Sequence, residues 1–302
     1  MTTSSPPVTL GTNPAATSVI ITRPITPGQL AWRRFRRNKA GVLGLVIVVL
    51  MVIFAVAGTL ALPFPDTSVM DANLSPGDDS AHPLGTDVAG RDMVALLAWG
   101  TRTSLTIAVA AQVVLTVVSL VLGFCAAWFR GLVDYVVLRL IEIATAIPQL
   151  LFQILFMIVA GNTIANLIIA LSVLGWADLT RIVRAQTLAT REREYVDAAR
   201  SLGAGTADIA FRHMLPNILN PLIIAISMSI PAIILGESTL SFLGYGLTED
   251  MPSLGKMIGV SWQYIQAYWH MALLPTICLS LLMLGISFLG DGVRDALDPR
   301  AG

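Results

Sequence analysis

Six apolar stretches, each close to the length of a membrane-spanning helix, restrict this chain more than any other feature. The hydrocarbon core of a bilayer is about 30 Å thick, so an α-helix needs about 20 apolar residues to cross it. No stretch alternates with the strand period long enough to suggest a barrel, and an open sheet cannot lie in lipid. The sequence therefore predicts an all-α, polytopic membrane protein with about six transmembrane helices. They are expected at residues 41–62, 104–129, 136–160, 164–181, 216–240 and 271–290.

The composition agrees with a chain that is surrounded mainly by lipid. Hydrophobic residues make up 55% of the 302 residues and charged residues only 13%, whereas soluble domains are about a quarter charged. The formal net charge is zero, so nothing in the overall charge points to nucleic acid. Cys125 and Cys278 lie inside apolar stretches and are expected to act as small hydrophobic side chains rather than as a disulfide. The three histidines lack the spacing of a metal site, and we expect no metal and no cofactor.

The first 29 residues are rich in Thr, Ser and Pro, which predicts a disordered segment. A basic cluster, Arg33 to Lys39, precedes the first apolar stretch. A cleavable signal peptide is the alternative, because Ala55-Val56-Ala57 has the small residues of a cleavage site. The apolar stretch is longer than the 7–15 residues, roughly, of a signal peptide, so a retained helix is favoured.

The distribution of Lys and Arg predicts the orientation in the membrane. With the N-terminus in the cytoplasm, sixteen of the nineteen basic residues lie inside and three lie outside, as the positive-inside rule requires. Both termini are therefore expected in the cytoplasm, residues 182–215 inside, and residues 63–99 and 245–270 outside. The last of these segments is rich in Trp and Tyr, which suits either a membrane-interface belt or a surface for a partner.

Residues 191–217 form a polar segment that is too hydrophilic to enter the membrane. The pattern predicts one short helix at about residues 192–202, ended by Gly203. A second short helix follows, with Thr206 as its N-cap, and Pro216 opens the next membrane helix. A short rigid helix with small residues could fit a groove of a partner ATPase. An ordinary cytoplasmic helical hairpin explains the same pattern.

The same segment carries a recognisable spacing. Asp197-Ala198-Ala199 is followed after three residues by Gly203, and nine residues later by His213-Met214-Leu215-Pro216. This resembles the Glu-Ala-Ala loop of the permease subunits of bacterial ABC importers. Asp197 stands in place of Glu, which keeps the charge, and His213 stands in place of Ile, as in the dipeptide/oligopeptide branch.

Other stretches resemble the same branch in the same order along the chain. They are His82–Asp87 with Gly90–Asp92, then Ser241–Gly246, and finally Gly290–Arg300. With the basic cluster, the resemblance covers about residues 32–300, which is nearly the whole chain.

The resemblance implies a type I ABC importer permease fold in the bacterial inner membrane. It implies a non-catalytic subunit that forms half of a translocation path, for dipeptides or oligopeptides, and couples it to a separate ATPase. The implied partners are a second homologous permease, one or more ABC ATPase subunits, an extracytoplasmic substrate-binding protein and the surrounding lipid. Similar subunits carry nickel chelates or glutathione, so those substrates stay open. No phosphate-binding loop or nucleophile elbow is present in the sequence, which agrees with no catalytic residue.

The resemblance also implies a division of the chain. Residues 1–29 form the cytoplasmic N-terminus, residues 30–99 the first transmembrane helix and an extracytoplasmic segment, and residues 100–302 the core permease domain. The coupling loop lies at 191–216. Its expected ATPase-docking residues are Glu194, Asp197, Ala198, Ala199, Leu202, Gly203, Arg212 and Pro216.

Charged residues in the apolar stretches have two possible roles. Glu237, with Ser238, is a candidate for the substrate path, because charges in membrane helices are costly and often functional; a bond to a neighbouring helix is the other interpretation. The pairs Arg139/Glu142 and Asp178/Arg181 have the spacing of neighbours on one helix face, so local pairing is favoured. A secondary transporter or a membrane scaffold would explain the helices, but no inverted repeat is evident.

Overall fold

The computed structural model describes residues 27–205, 208–248 and 251–297. The predicted disorder of the N-terminus and the N-cap role of Thr206 lie outside these residues. The helices are α1 (Pro27–Arg37), α2 (Lys39–Ala61), α3 (Met93–Phe129), α4 (Gly131–Ala146), α5 (Gln149–Ala160), α6 (Ile164–Arg191), α7 (Glu194–Ser201), α8 (Leu215–Phe242), α9 (Leu254–Ser261) and α10 (Trp269–Leu297). No strand occurs in the described ranges, so the predicted all-α architecture is confirmed.

Polar side chains at the N-caps fix where several helices begin. Asn38 accepts a hydrogen bond from the Gly41 amide at 2.9 Å before α2, and Asp92 accepts one from Ala95 at 2.8 Å before α3. Thr163 caps α6 in the same way. Each cap satisfies an amide that the first turn leaves without a partner, which matters most where the first turn approaches lipid.

The third predicted membrane helix, residues 136–160, is not one helix. The chain breaks at Ile147 and Pro148, and α4 and α5 meet at an angle of 86°. Proline removes a backbone donor and drives the residue before it out of the helical region, and Ile147 has an extended ψ of 126°. Pro221, Pro231 and Pro275 lie inside helices that run on without such a break.

The broken pair nevertheless crosses the same layer as its neighbours. Arg130, just before α4, bonds to Glu192 at the end of α6, whereas Ala160, at the end of α5, accepts from Asn166 at the start of α6. A helix of 28 residues is about 42 Å long, so α4 and α5 together span its length. Five single helices qualify as spans by length and apolarity, and the pair is the sixth, in agreement with the predicted number.

Close contacts show which helix ends share a side. The C-terminal end of α2 meets the N-terminal part of α3, where Arg102 donates to Thr59 at 3.3 Å. Asn38, at the start of α2, donates to Asp295 near the end of α10 at 2.7 Å. Because consecutive spans alternate in direction, α1, the end of α10 and α7 lie on one side of the bundle. The segment between α2 and α3 lies on the other side with α9.

Small residues let the membrane helices approach closely. A Cβ built on Gly44 of α2 would lie 2.6 Å from the Gly285 carbonyl oxygen of α10. Apolar burial does not distinguish a neighbouring helix from lipid, so close backbone contact is a main source of association in membranes. The main buried cluster lies where α3, α6 and α8 meet, and it includes Ile107, Leu167 and Leu240.

The segment between α2 and α3 is folded, although it has little regular structure. Asp87 accepts hydrogen bonds from the amide and the Nε of Arg91, and Asp92 pairs with His82 at 2.9 Å. His270 at the start of α10 lies 3.2 Å from the carbonyl oxygen of Thr86. These contacts tie the segment into a compact turn, although Asp87 and Arg91 are not in a helix.

Candidate functional site: the coupling loop and the cavity

Helix α7 is held on the beginning of α8 by one apolar face. Val196 and Ala199 are buried and form a cluster with Ile209, Met214 and Ile218. Val196 is the deeper of the two α7 residues, and it was not among the docking residues predicted from sequence. Its spacing of three from Ala199 is the periodicity of a buried helix face. The Ala199 side chain therefore packs α7 against its own subunit.

A tight turn at Gly203 ends α7. Gly203 has a φ of +83°, and the Ala204 amide donates back to the Ala199 carbonyl at 3.1 Å. This left-handed residue with a six-to-one hydrogen bond is a Schellman motif, which strongly favours glycine. The predicted end of the first helix is thus confirmed.

The second predicted short helix is not a separate element. Residues Ile209–Met214 form a π-helical turn that leads directly into α8, where Pro216 is the second residue. Proline costs little at this position, because the first amides of a helix have no intrahelical partner. The last part of the coupling loop, Ile209–Met214, therefore continues into a membrane helix without a break.

The outer surface of the coupling loop carries large apolar side chains. Leu202 is 88% exposed, Phe211 is 72% exposed, and Tyr195 is also exposed. Phe211 is a docking candidate that sequence reasoning missed, although an aromatic residue in so polar a segment was a visible signal. Exposed apolar residues in a group commonly mark an interaction site.

Several charged residues of the coupling loop are exposed as well. Glu194, Asp197 and Arg212 are exposed, as is Ala198. Arg212 lies 3.9 Å from Asp208 on the next turn. Protein–protein interfaces commonly combine apolar side chains with polar and charged ones.

The base of the coupling loop is tied to the corner between α3 and α4. Arg191 donates to the carbonyl oxygens of Ala127 at 3.1 Å and Trp128 at 2.6 Å, and its guanidinium lies over the Trp128 ring. It thereby satisfies carbonyls that the end of α3 leaves without intrahelical partners. Arg130 pairs with Glu192 at 2.9 Å beside it.

A second connection lies deeper, between α4 and α6. Arg184 binds Asp134 with two nearly parallel hydrogen bonds, of 2.5 Å from Nε and 2.6 Å from Nη2. Bidentate pairs of this kind fix geometry as well as adding energy. Farther from the coupling loop on the same two helices, Arg181 donates a hydrogen bond to the Thr145 hydroxyl at 3.4 Å. The coupling loop, α6 and α4 are thus joined by polar contacts over several turns.

A cavity of about 1080 Å³ lies between α3, the α4–α5 elbow, α6 and α8. The elbow residues Ile147 and Pro148 form part of its wall. Amide, hydroxyl and charged side chains are spaced among the apolar ones. The polar lining residues are Gln112, Thr145, Gln149, Gln153, Asp178, Arg181, Ser229 and Thr239.

The charged pairs predicted on the helices are present. Arg181 donates to Asp178 at 2.9 Å, and Arg139 donates to Glu142 one turn along α4. Both pairs are local, as the spacing suggested. Asp178 and Arg181 also line the cavity, so local pairing and access to the cavity coexist there.

Glu237 lies elsewhere than the cavity wall. It is fully buried, and its carboxylate accepts hydrogen bonds from Ser104 of α3 at 2.9 Å and from Ser241 at 2.8 Å. Ser238 is a further, longer donor at 3.3 Å. Neither Glu237 nor Ser238 lines the cavity, so the geometry favours a bond between helices over contact with a substrate. Within the described ranges, no group of three potential metal ligands is found.

Two family models match the chain. Residues 116–302 match the model described as binding-protein-dependent transport system inner membrane component. Residues 26–76 match the model described as the N-terminal transmembrane domain of oligopeptide transport permease C. The first match includes the whole coupling loop and most of the cavity wall.

Several curated proteins are similar over most of the chain. The dipeptide transport system permease protein DppC of Bacillus subtilis is 36% identical over 90% of this chain and 85% of its own length. The oligopeptide transport system permease protein OppC of Escherichia coli K12 is 36% identical over 90% of this chain and 91% of its own. The glutathione transport system permease protein GsiD of Pectobacterium atrosepticum is 33% identical over 91% of this chain and 92% of its own length.

A solved structure has a similar fold. The inward-facing MetNI methionine ABC transporter gives a TM-score of 0.55 at 20% identity, over 68% of this chain and 98% of the matched chain. At that identity the likeness concerns the arrangement of helices alone.

Proposed function

Because the chain belongs to the family of inner membrane components of binding-protein-dependent transport systems, we propose that it forms half of a translocation path for dipeptides or oligopeptides. The family establishes a permease subunit of an ABC importer, with the predicted fold. The finer statements proposed are the substrate, the docking surface for the ATPase, the orientation and the partners.

Near full-length similarity to peptide permeases is the observation that carries the substrate proposal. The cavity supports it through its lining. Its amides and hydroxyls accompany one carboxylate and one guanidinium, Asp178 and Arg181. A peptide is a zwitterion with polar amide groups between its charged ends, so a wall without a dominant charge suits it.

The coupling loop is the proposed docking surface for a separate ATPase. One face of α7 is fixed on α8, while Leu202 and Phe211 of the same loop are exposed together with charged side chains. An ATPase groove that closes on this surface would displace α7 and the start of α8 together. Arg191 and the Arg184–Asp134 pair would pass the displacement to α4 and so to the cavity. Alternating access follows from such tilting of helices.

The orientation and the remaining partners follow from the same scheme. The side that holds α1, α7 and the end of α10 carries most of the basic residues, so we place it in the cytoplasm. A second, homologous permease would close the open side of the cavity. The folded segment between α2 and α3, together with α9, would face an extracytoplasmic binding protein.

Glutathione is a second candidate substrate, since one relative is named as a glutathione permease. It is itself a modified tripeptide, so the cavity alone does not separate the two. Transport measurements on the complete transporter distinguish glutathione from the other peptides as its substrate.

The test is uptake by proteoliposomes that contain the complete transporter purified from native membranes, with its binding protein outside. We expect ATP-dependent accumulation of labelled alanine peptides of two to five residues. Accumulation of glutathione without any peptide would replace the proposed substrate. Uptake that follows an ion gradient and ignores ATP would remove the ATPase docking role.

A further inference from the structure

We infer that the Gln153 side-chain amide, on α5, forms hydrogen bonds to the backbone of the peptide that passes through the cavity. This rests on the proposed peptide substrate and assigns a residue to the path. Neither the family match nor the sequence patterns single out Gln153.

The surroundings of Gln153 are the first observation. Its side chain is only 3% exposed, yet it lines the cavity. Within the described ranges, no donor or acceptor of the protein forms a hydrogen bond with its amide. In the described ranges the fully enclosed side-chain atoms without a partner belong to Trp99, Thr101 and Thr180, so the Gln153 amide faces the open space of the cavity. A polar group that faces a cavity and bonds to no protein group calls for a reason.

The location of Gln153 in a membrane-crossing element makes that reason more pressing. A polar amide is unusual at such a position, because an apolar side chain there would need no hydrogen-bond partner. A leucine would fill the same space on α5, as it does at neighbouring positions 150, 151 and 155. A polar side chain kept here and directed into a cavity is best explained by something polar that enters the cavity.

A second amide in the same cavity differs in an informative way. Gln112 of α3 is also buried, but its oxygen accepts a 2.6 Å hydrogen bond from Ser229 of α8, and its nitrogen donates to Thr116 at 3.1 Å. Gln112 is therefore already satisfied and joins two helices of the wall. Gln153 is the buried lining amide whose bonds are left for a ligand.

The chemistry of the amide identifies the class of ligand. A primary amide has one acceptor and two donors, and a peptide unit offers one donor and one acceptor side by side. The two groups can therefore bond reciprocally, whatever the peptide side chains are. A site of this kind recognises the backbone and tolerates variation in sequence. It would not favour a metal ion or a single charged group.

The test combines a change in the protein with a change in the substrate. Gln153→Met removes the amide and keeps nearly the same volume. The substrates are an alanine peptide that the wild-type transporter accepts and its analogue with an ester in place of one backbone amide. The ester lacks the N–H donor. Initial uptake rates are measured for both substrates in proteoliposomes, at equal amounts of folded complex.

The wild type is expected to transport the peptide about fivefold faster than the ester, since one hydrogen bond contributes about 1 kcal/mol. In Gln153→Met this preference should be about fivefold smaller than in the wild type. The binding protein discriminates between the two substrates equally in both cases. Its effect therefore cancels when the peptide-to-ester uptake ratio of the wild type is divided by that of Gln153→Met. A purely structural role would lower both rates together and leave the preference unchanged.

Two controls complete the test. Gln263→Met removes an exposed amide outside the cavity and should keep the wild-type preference. Gln153→Asn keeps the amide on a shorter side chain and should retain part of the preference for the peptide over the ester. A preference in Gln153→Met equal to that of a peptide-transporting wild type would overturn the inference alone. A wild type that transports no alanine peptide would overturn the proposed substrate, and the inference with it.

Discussion

Gly203 offers the sharpest test of how the coupling loop works. It is in the left-handed region with a φ of +83°, and a Cβ built on it would meet no heavy atom within 4 Å. A substitution at Gly203 therefore strains the backbone without causing a clash within the subunit. Helix α7 has only eight residues, and so short a helix depends on its end and its packing.

The size of the effect follows from the preference for this conformation. A non-glycine residue pays roughly 1–2 kcal/mol there, Asn least and a β-branched residue most. A change of 1.4 kcal/mol is about tenfold in an equilibrium constant. We therefore expect the equilibrium constant for forming α7 to fall slightly for Gly203→Asn, several-fold for Gly203→Ala, and by more than tenfold for Gly203→Val.

The assay measures peptide uptake and the affinity between the membrane subunits and the ATPase, both per amount of inserted protein. Gly205→Val is the matched control, because Gly205 lies in the same loop, has equally open surroundings and does not have a positive φ. Both measurements should decline in the order Gly, Asn, Ala, Val at position 203. Equal losses at 203 and 205, or a fully active Gly203→Val, would refute the role of the turn.

Three further predictions concern the connections between helices. Asp134→Asn or Arg184→Gln should lower the amount of peptide transported per ATP hydrolysed, because it breaks the bidentate, part-buried pair that joins α4 to α6. The exchange Asp134→Arg with Arg184→Asp should restore part of that ratio. Glu237→Ala should lower the thermal unfolding temperature in detergent by on the order of 5 °C, because it leaves buried hydroxyls without their acceptor. Gly44→Leu should strongly reduce the yield of folded protein, since a Cβ there would lie 2.5 Å from the α10 backbone.

Each of these predictions has a control in the same chain. Glu142→Gln breaks an exposed pair on α4 and should leave the coupling ratio unchanged. Ser238→Ala removes only the longest of the three hydrogen bonds to Glu237 and should lower the unfolding temperature less. A Cβ built on Gly28 would meet no heavy atom within 4 Å, so the variant Gly28→Leu should fold normally. A variant and its control that behave alike would contradict the corresponding prediction.

The sequence was sufficient for the parts of the fold that depend on local chemistry. Apolar length identified the membrane crossings, and the spacing around Gly203 identified the end of α7. The pairing of Asp178 with Arg181 followed from the helix period alone. These features depend on residues within a few positions of one another, so a single sequence contains them.

Features that depend on distant contacts were not accessible in the same way. Val196 is buried only because α8 returns beneath α7, and the sequence shows merely another apolar residue in a short helix. The break at Pro148 is a strong local signal, but the angle of 86° depends on how both halves contact α6. Glu237 is fully buried beside Ser104 of α3, and 133 residues separate the two. No local pattern could distinguish this bond from contact with a substrate.

The elbow between α4 and α5 explains how a displacement of the coupling loop could change the cavity. The α4 half is attached to α6 through the Asp134–Arg184 pair, and the far end of α5 is attached to the other end of α6 through Asn166. With both ends fixed to one helix, a tilt of α4 cannot move α5 as a rigid continuation. It must instead change the angle at Ile147 and Pro148, which is where the pair has no helical hydrogen bonds to oppose bending. Because these two residues line the cavity, we expect a small displacement of α7 to change the shape of the cavity at the elbow.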